Sequence, residues 1–340
     1  MSLSNCVEPH LPSLTLINPN NPAMNDLIYQ QETDLSIALT LAAHTTRQTF
    51  IDVGAEKGGY SRALMNLGFR GVLFEPYPPH LANLQELVSG TASRVFPFAI
   101  DEADHDGLLH LAVDSDGKSM DYFHSLHHDD SNPIARHAGT TAVSCRSLAS
   151  LAKEGLVDVE VGILKIDTEG SDLNVIRGMG GVKAEVLICE FVTPSLYPTW
   201  ESSFPEGLVE AAFAKGYEVC IAVKRFGPHE LVTLGRPVFV DGQWGNLIFV
   251  SNALLELAGQ SLRELALRAE KKHVTALAEG YQSLEAKEQV IQTLNGACIE
   301  RLAVIEQLNN KIEKQRTKEA ELRAKIEDLQ KKIAIMQTKP

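Results

Sequence analysis

From Thr49 onward the chain alternates between short apolar runs and stretches with helical spacing, and that alternation leaves few folds open. "TFIDVG" reads as a strand, "GYSRALMNLG" as a helix closed by Gly68, and "GVLFEP" as a strand. "PHLANLQELVSG" reads as a helix closed by Gly90, and "RVFPFAI" as a strand. Further on, "VGILKID" (161–167) is a strand followed by the helix "SDLNVIRGMG". "AEVLICEFV" (184–192), "YEVCIAVKR" (217–225) and "NLIFV" (246–250) complete the strands. Continuous apolar strands are buried on both faces, which requires helices on both sides of a mostly parallel sheet. The expected fold class is therefore α/β, a doubly wound sheet with its ligand beyond the carboxyl ends of the strands. "ETDLSIALTLAAHTT" (32–46) adds a helix in front, and about Asp114 to Thr140 reads as a long loop.

Around this α/β domain, placed at residues 31–252, the composition changes twice. Pro, Asn and Ser crowd the first 22 residues, so 1–30 is expected to be a loose arm. After Ser251, Pro is absent until the last residue, and Ala, Glu, Lys, Gln and Leu dominate. Residues 253–300 read as a helical linker with poor heptads, and 301–338 as a coiled coil. Ile305, Ile312, Ile326 and Ile333 occupy position a, and Leu308, Leu322, Leu329 and Met336 position d. Ile at a with Leu at d favours a parallel two-stranded coil, and Gln315 and Glu319 interrupt the seam. A homodimer or a partner protein held through Ile305–Met336 is the expectation; a single amphipathic helix lying on the parent domain is the alternative.

Charge narrows the partners. The formal net charge is −13, and 15 of the 31 basic but only 13 of the 44 acidic residues lie from Ser251 on. The first 250 residues keep 16 basic against 31 acidic side chains. A nucleic-acid face needs a basic patch, so nucleic acid is not an expected partner. No apolar run reaches the ~20 residues of a bilayer span. The start, "MSLSNCVEPHLPSL", lacks a basic segment followed by an apolar one, so no signal peptide is expected. Cys6, Cys145, Cys189, Cys220 and Cys298 form no C-x-x-C pair, which suits reduced thiols and a cytoplasmic location.

The turn in "FIDVGAEKGGYS" discriminates among cofactors. A phosphate-binding G-x-x-x-x-G-K-[ST] loop fits Gly54, Gly59 and Ser61 but puts Tyr60 where Lys is needed. G-x-G-x-x-G fails because position 56 is Glu. Asp52 and Glu56 would also set two negative charges beside any phosphate, at about 4 kcal/mol per close like-charge contact. A ligand with positive charge and no phosphate reverses that sign. S-adenosylmethionine, with its sulfonium, ammonium and ribose hydroxyls, has this chemistry. Asp52 would face its amino-acid end, and Gly54 and Gly58 would admit the backbone close to it. Glu75, 23 residues after Asp52, ends the next strand in "LFEP" and could accept hydrogen bonds from both ribose hydroxyls. A plain helix N-terminal charge before Pro76 is the other reading of Glu75. The cofactor set also takes in Ala55, Glu56, Tyr60, Ser61, Pro76 and Asp101.

The second constellation is "ILKIDTEGSDLNVIRGM" (163–179). Lys165, Asp167 and Glu169 alternate along a strand, which would set Asp167 and Glu169 on one side. An ammonium inside a covered strand needs a carboxylate, with Asp52 or Glu190 ("ICEF") as the candidates. Ser171 or Asp172 would cap the following helix. Asp167 and Glu169 are the candidate general bases, with Glu190 third. A charge network that merely closes the sheet end is the alternative. "DYFHSLHHDD" holds His124, His127, His128, Asp129 and Asp130, which have ligand chemistry but no recognised metal spacing. A divalent metal there is possible but not favoured over an acceptor-binding loop, and His124 is a further candidate base.

"FIDVGAEKGGYS", "LFEPYPP", "VSCRSLASLAKE", "VGILKIDTEGSDLNVIRGM" and "VLICEF", in this order, resemble the FkbM family of S-adenosylmethionine-dependent methyltransferases, over about Asp34 to Val250. The resemblance implies a class I methyltransferase fold of seven strands, the last antiparallel, with the cofactor over the first two. It implies methyl transfer, usually to a hydroxyl of a sugar or natural-product scaffold. Asp52, Gly54 and Gly58 match the family's cofactor loop and Glu75 its ribose-binding acid. Lys165, Asp167, Glu169 and Gly170 match its K-I-D-x-E-G block. Glu56 stands where the family usually has Asn. The expected activity is an O-methyltransferase acting on a hydroxylated small molecule or glycan. The alternative is a non-catalytic assembly protein on a retained methyltransferase fold, with a dinucleotide oxidoreductase a distant third.

Overall fold

A computed structural model describes residues 32–128, 135–227, 229–280, 296 and 299–319. The elements run α1 (Glu32–Ala42), β1 (Thr49–Val53), α2 (Gly59–Asn66), β2 (Arg70–Phe74), α3 (Pro78–Val88), β3 (Arg94–Phe96), β4 (Phe98–Ile100), β5 (His105–Val113), β6 (Arg136–Arg146) and α4 (Leu148–Lys153). They continue with β7 (Glu160–Ile166), α5 (Asp172–Arg177), β8 (Lys183–Val192), α6 (Pro205–Ala214), β9 (Val219–Phe226), β10 (His229–Gly235), β11 (Trp244–Val250) and α7 (Asn252–Gly280).

The main sheet has eight strands in the order β10-β9-β11-β8-β7-β1-β2-β3. β3, β2, β1, β7 and β8 are parallel, and β11 is antiparallel to both neighbours, β8 and β9. This is the doubly wound, class I methyltransferase arrangement, with its antiparallel strand inserted beside β8 and β10 added at one edge. The period of two sorts the core. Ile51, Val53, Leu164, Ile166 and Leu187 face α5 and α6. Phe50, Ile163, Val186 and Ile188 face the side covered by α1, α2, α3 and α7. Near this second core, Asp34 of α1 pairs with Arg225 of β9 at 2.6 Å.

Three expectations need correction. "RVFPFAI" is two strands: Pro97, which has no N–H to donate, breaks the ladder, and β3 stays in the main sheet while β4 joins another. That second sheet, β4-β6-β5, was not expected, because "HDGLLHLAV" and "RHAGTTAVSCR" lack apolar alternation. It occupies part of the stretch expected to be a loop, since β6 begins at Arg136. β7 ends at Ile166, so Asp167 and Glu169 lie beyond the strand.

Residues 299–319 are helical, and the half-buried positions include Ile305, Leu308, Ile312 and Gln315, four of the expected seam. Leu308 packs against the core beneath α1 and α7. The seam residues from Leu322 to Met336, the arm 1–30, Cys6 and Cys298 lie outside the described residues. Cys145, Cys189 and Cys220 are buried free thiols. Among the described residues, no helix is long and apolar enough to cross a membrane.

Candidate functional site

The parallel strands deliver their acidic ends to one edge. Asp52 of β1 stands opposite Lys165 of β7 in register. Both lie on the face lined by Phe50 and Ile163, so the carboxylate and the ammonium meet inside the sheet. Asp52 is 1 % exposed. Its Oδ2 accepts from Ser61 Oγ at 2.6 Å, and its Oδ1 lies 3.4 Å from Lys165 Nζ. Lys165 Nζ also donates to Gly54 O at 2.8 Å and lies 3.1 Å from Asp167 Oδ2. Of the two candidate partners for Lys165, Asp52 makes the ion pair. Burial pushes the Asp52 carboxyl up, and Lys165 and Ser61 pull it back. Burial likewise works against the Lys165 ammonium, but Asp167 and Asp52 outweigh it and hold its pKa above the ordinary lysine value.

The glycine turn rests on this pair. Gly54 and Ala55 both donate to Phe74 O at 3.0 Å, and Gly58 N donates to Ala55 O at 2.7 Å. The glycines answer to the protein's own packing. Gly54 has φ +70, and a Cβ there would sit 1.8 Å from Asp167 O; at Gly58 it would meet Leu87 and Leu84 at 2.5 and 2.8 Å. Ser61 lies buried behind the turn, and Pro76 is half-buried after β2. Glu75 is 6 % exposed and closes the turn from the β2 side. Its Oε2 accepts from Glu56 N at 2.7 Å and its Oε1 from Tyr77 N at 2.8 Å. Burial raises its pKa, against those two bonds.

Glu56 adopts φ 48 and pairs with Lys57 at 3.0 Å. The left-handed region costs an ordinary side chain about 1–2 kcal/mol and suits Asn or Gly. Glu56→Asn is therefore expected to stabilise the protein by about 0.5–1 kcal/mol, a rise of about 1–3 °C in a thermal melt. An unchanged or lowered melting point would show that the Lys57 pair outweighs the backbone relief. Tyr60 points a buried hydroxyl with no hydrogen-bond partner among the described residues. Burial, with Asp34, Asp52 and Asp167 nearby, holds its pKa well above the ordinary value.

Beyond β7 the three candidate bases converge. One carboxylate oxygen each of Asp167, Glu169 and Glu190 lies within 4.8 Å of the others. Glu169 reaches the cluster from a left-handed residue, φ 52, rather than by strand parity. Burial raises the pKa of Glu169 well above the usual carboxylate range, helped by Glu190 and Asp167. Burial, Asp167 and Asp172 do the same to Glu190.

Sequence reasoning missed the shell around this cluster. Asp172 is buried, accepts from Thr168 Oγ1 (3.0 Å), Ser203 Oγ (2.9 Å) and Glu190 N (3.2 Å), and is pushed up to about 6 by burial and Asp167. Ser171 stands at the N-cap position, but its hydroxyl bonds His127 Nε2 at 3.0 Å instead of capping. Ser125 Oγ donates to Glu169 O. Trp200 lies against Gly170, where a Cβ would meet its ring at 3.1 Å, and Tyr197 stacks on Trp200 at 4.4 Å. Ser171 and Asp172 were expected only as caps of α5, and no local pattern marks Ser125, Tyr197 or Trp200; the closed fold brings them in.

Two other expected groups are held by contacts with the small sheet. Asp101, after β4, holds His105 Nε2 at 2.9 Å and Glu102 N at 2.8 Å. His124 Nδ1 accepts from Ala112 N at 3.0 Å, and burial pushes the ring down to about 4. That ring is fixed against Tyr77 (4.4 Å between centroids) and is a packing element of the small sheet. Asp129 and Asp130 lie outside the described residues.

The family described as Methyltransferase FkbM domain matches residues 52–221. No curated protein matches the chain. Among solved structures, it is similar to the O-methyltransferase from Bacillus cereus in complex with SAH: 12% identity, TM-score 0.38, covering 67% of this chain and 86% of that one. The magnesium protoporphyrin IX methyltransferase from Synechocystis PCC 6803 gives 10%, 0.37, 69% and 86%. The O-methyltransferase TomG from Streptomyces achromogenes gives 12%, 0.34, 64% and 80%. With half of its length matched, from the Asp52 turn into β9, the chain belongs to the FkbM methyltransferase family.

Proposed function

We propose that the protein is an S-adenosylmethionine-dependent O-methyltransferase acting on a hydroxyl of a sugar, glycan or natural-product acceptor. The observation that carries this reading is the convergence of Asp167, Glu169 and Glu190 beside the Asp52–Glu75 turn.

The residues fit the cofactor's chemistry. The turn offers a buried carboxylate, Glu75, whose two oxygens each keep a lone pair after accepting one backbone N–H. Tyr60 adds a buried hydroxyl without a partner. The basic groups beside the turn, Lys57 and Lys165, are paired with acids, so little remains to hold a phosphate. When bound, the cofactor supplies an electrophilic methyl group on a sulfonium. In this reading Glu75 holds the ribose hydroxyls, and Asp52, engaged with Ser61 and Lys165, sets the shape and potential of the turn. The sulfonium charge disappears during transfer, so carboxylates that do not touch the sulfur serve the reaction better.

A hydroxyl acceptor needs its proton taken. Three carboxylates within 4.8 Å cannot all be ionised cheaply; Asp167 or Glu169 takes the proton, and burial and Glu190 raise the pKa of Glu169. Tyr197, half-buried and backed by the buried Trp200, offers a ring on which a sugar or planar scaffold could lie. Pairing of two copies, or docking of a partner, through Ile305–Met336 belongs to the same proposal. Its support is the Ile and Leu pattern of the sequence alone; in the structure Ile305, Leu308 and Ile312 are half-buried within the single chain and Leu308 packs on its own core, which favours the alternative of a helix lying on the parent domain.

Calorimetric titration with S-adenosylmethionine tests the cofactor. Micromolar binding is expected, weakened at least tenfold in an Asp52→Ala, Glu75→Ala variant shown by circular dichroism to be folded. A folded wild-type protein that binds none would instead favour a scaffold on a methyltransferase fold.

A further inference from the structure

The small sheet carries a second cluster with ligand chemistry. His110 of β5, His137 of β6 and His128 of the segment after Ser125 place one ring nitrogen each within 4.8 Å of the others. Their ring centroids are 5.0, 5.5 and 5.6 Å apart. Imidazoles bound tetrahedrally to one zinc ion, with nitrogens about 2.0–2.1 Å from it, have centroids about 5 Å apart.

The backbone builds this cluster. His110 pairs with Thr140 across the two strands, and regular pairing would set His137 on the opposite face. A bulge between Leu111 and Ala112 shifts the register, so that Ala112 stands opposite His137. That one-residue slip returns His137 to the face shared by His110 and Ala112. The third ring arrives because Ser125 bridges to His110, donating and accepting backbone bonds of 3.2 and 2.7 Å. His137 Nε2 lies 3.2 Å from Phe123 O. Donation to that carbonyl fixes the tautomer and leaves Nδ1 with the lone pair. Metal-bound imidazoles ordinarily have such an outer bond.

We propose that His110, His128 and His137 bind a divalent transition ion of the zinc type, distinct from the acidic cluster. Three imidazoles with a fourth position left for water suit that class of metal. The ion would pin the Ser125–His128 segment to β5 and β6. From that segment Ser125 reaches Glu169 O, and His127 reaches Ser171. The ion would thereby hold the segment that touches the turn carrying the acidic cluster.

The test is titration of tag-free, chelator-stripped full-length protein with zinc chloride by calorimetry, with cobalt(II) chloride in parallel for its visible absorption. Micromolar or tighter 1:1 zinc binding is expected, with the strong bands of four-coordinate cobalt. His110→Ala and His137→Ala should weaken zinc about a hundredfold or more. His128→Ala, at an exposed position, carries the same expectation should the other two fail to fold. An Asp167→Asn, Glu190→Gln variant should bind zinc as the wild type does. Absence of zinc binding by the wild type, or binding unchanged in the folded histidine variants, overturns the proposal. So does zinc binding lost in the acidic-cluster variant, which would put the ion there.

Discussion

Replacing Lys165 by Met is expected to destabilise the protein by about 3–5 kcal/mol, the range for stripping one partner from a buried ion pair. The reason lies in what the ammonium holds together. It faces Asp52 at 3.4 Å and Asp167 at 3.1 Å, and donates to Gly54 O at 2.8 Å. It is itself only 8 % exposed. Without it, Asp52 keeps Ser61 as its donor but loses its counter-charge, and must be protonated or dragged toward water. Adding Asp52→Asn to Lys165→Met removes the uncompensated charge, since an amide oxygen still accepts from Ser61. The double variant should recover more than half of the loss in urea denaturation. A Lys165→Met variant within ~1 kcal/mol of wild type, or a double variant no better than the single, would show that the pair is not what supports the turn.

The acidic cluster carries the second large effect. Once an acceptor is identified, Asp167→Asn or Glu169→Gln should lower kcat by about 10²–10⁴, the usual contribution of a general base. Normal turnover in both would place the base elsewhere. The pH profile gives an independent reading. A base acts in its ionised form, so activity rises with pH through its pKa. Burial and the neighbouring acids raise Glu169, so that limb should fall above the ordinary carboxylate range. Glu190→Gln removes one negative neighbour. It should lower the Glu169 pKa and move the limb to lower pH, with a smaller loss in kcat than Glu169→Gln. A limb that stays in place would mean that Glu190 does not tune the base.

The main sheet was legible because its strands are uniformly apolar: "TFIDVG", "VGILKID" and "AEVLICEFV" allow no half-solvated alternative. Their charged ends were legible for the same reason, since Asp52, Lys165 and Glu190 interrupt runs whose only other charges are Asp167 and Glu185. The small sheet was hidden by polar strands such as "RHAGTTAVSCR", whose pairing depends on partners rather than on pattern. Strand parity placed Glu169 for the wrong reason. β7 stops at Ile166, and a left-handed residue brings that carboxylate to its neighbours. Glu56, the departure from the family pattern, proves to be the other left-handed residue that is not glycine among the described residues. Tyr197, Trp200 and His127 come from loops, where spacing along the chain says nothing of distance in space.

The contact between Gly54 and Asp167 has a consequence for how such a chain can diverge. A single added carbon at Gly54 would strike the Asp167 carbonyl just beyond β7, and the carbonyl of Gly54 itself receives the Lys165 ammonium. The two turns thus share one floor, and no side-chain change at position 54 can adjust one without displacing the other. Drift is closed there. Novelty in the acceptor has to enter through the walls, from the segment around Phe123–His128 and the loop bearing Tyr197 and Trp200. Homologues with different acceptors should then keep the floor nearly constant while these two loops turn over.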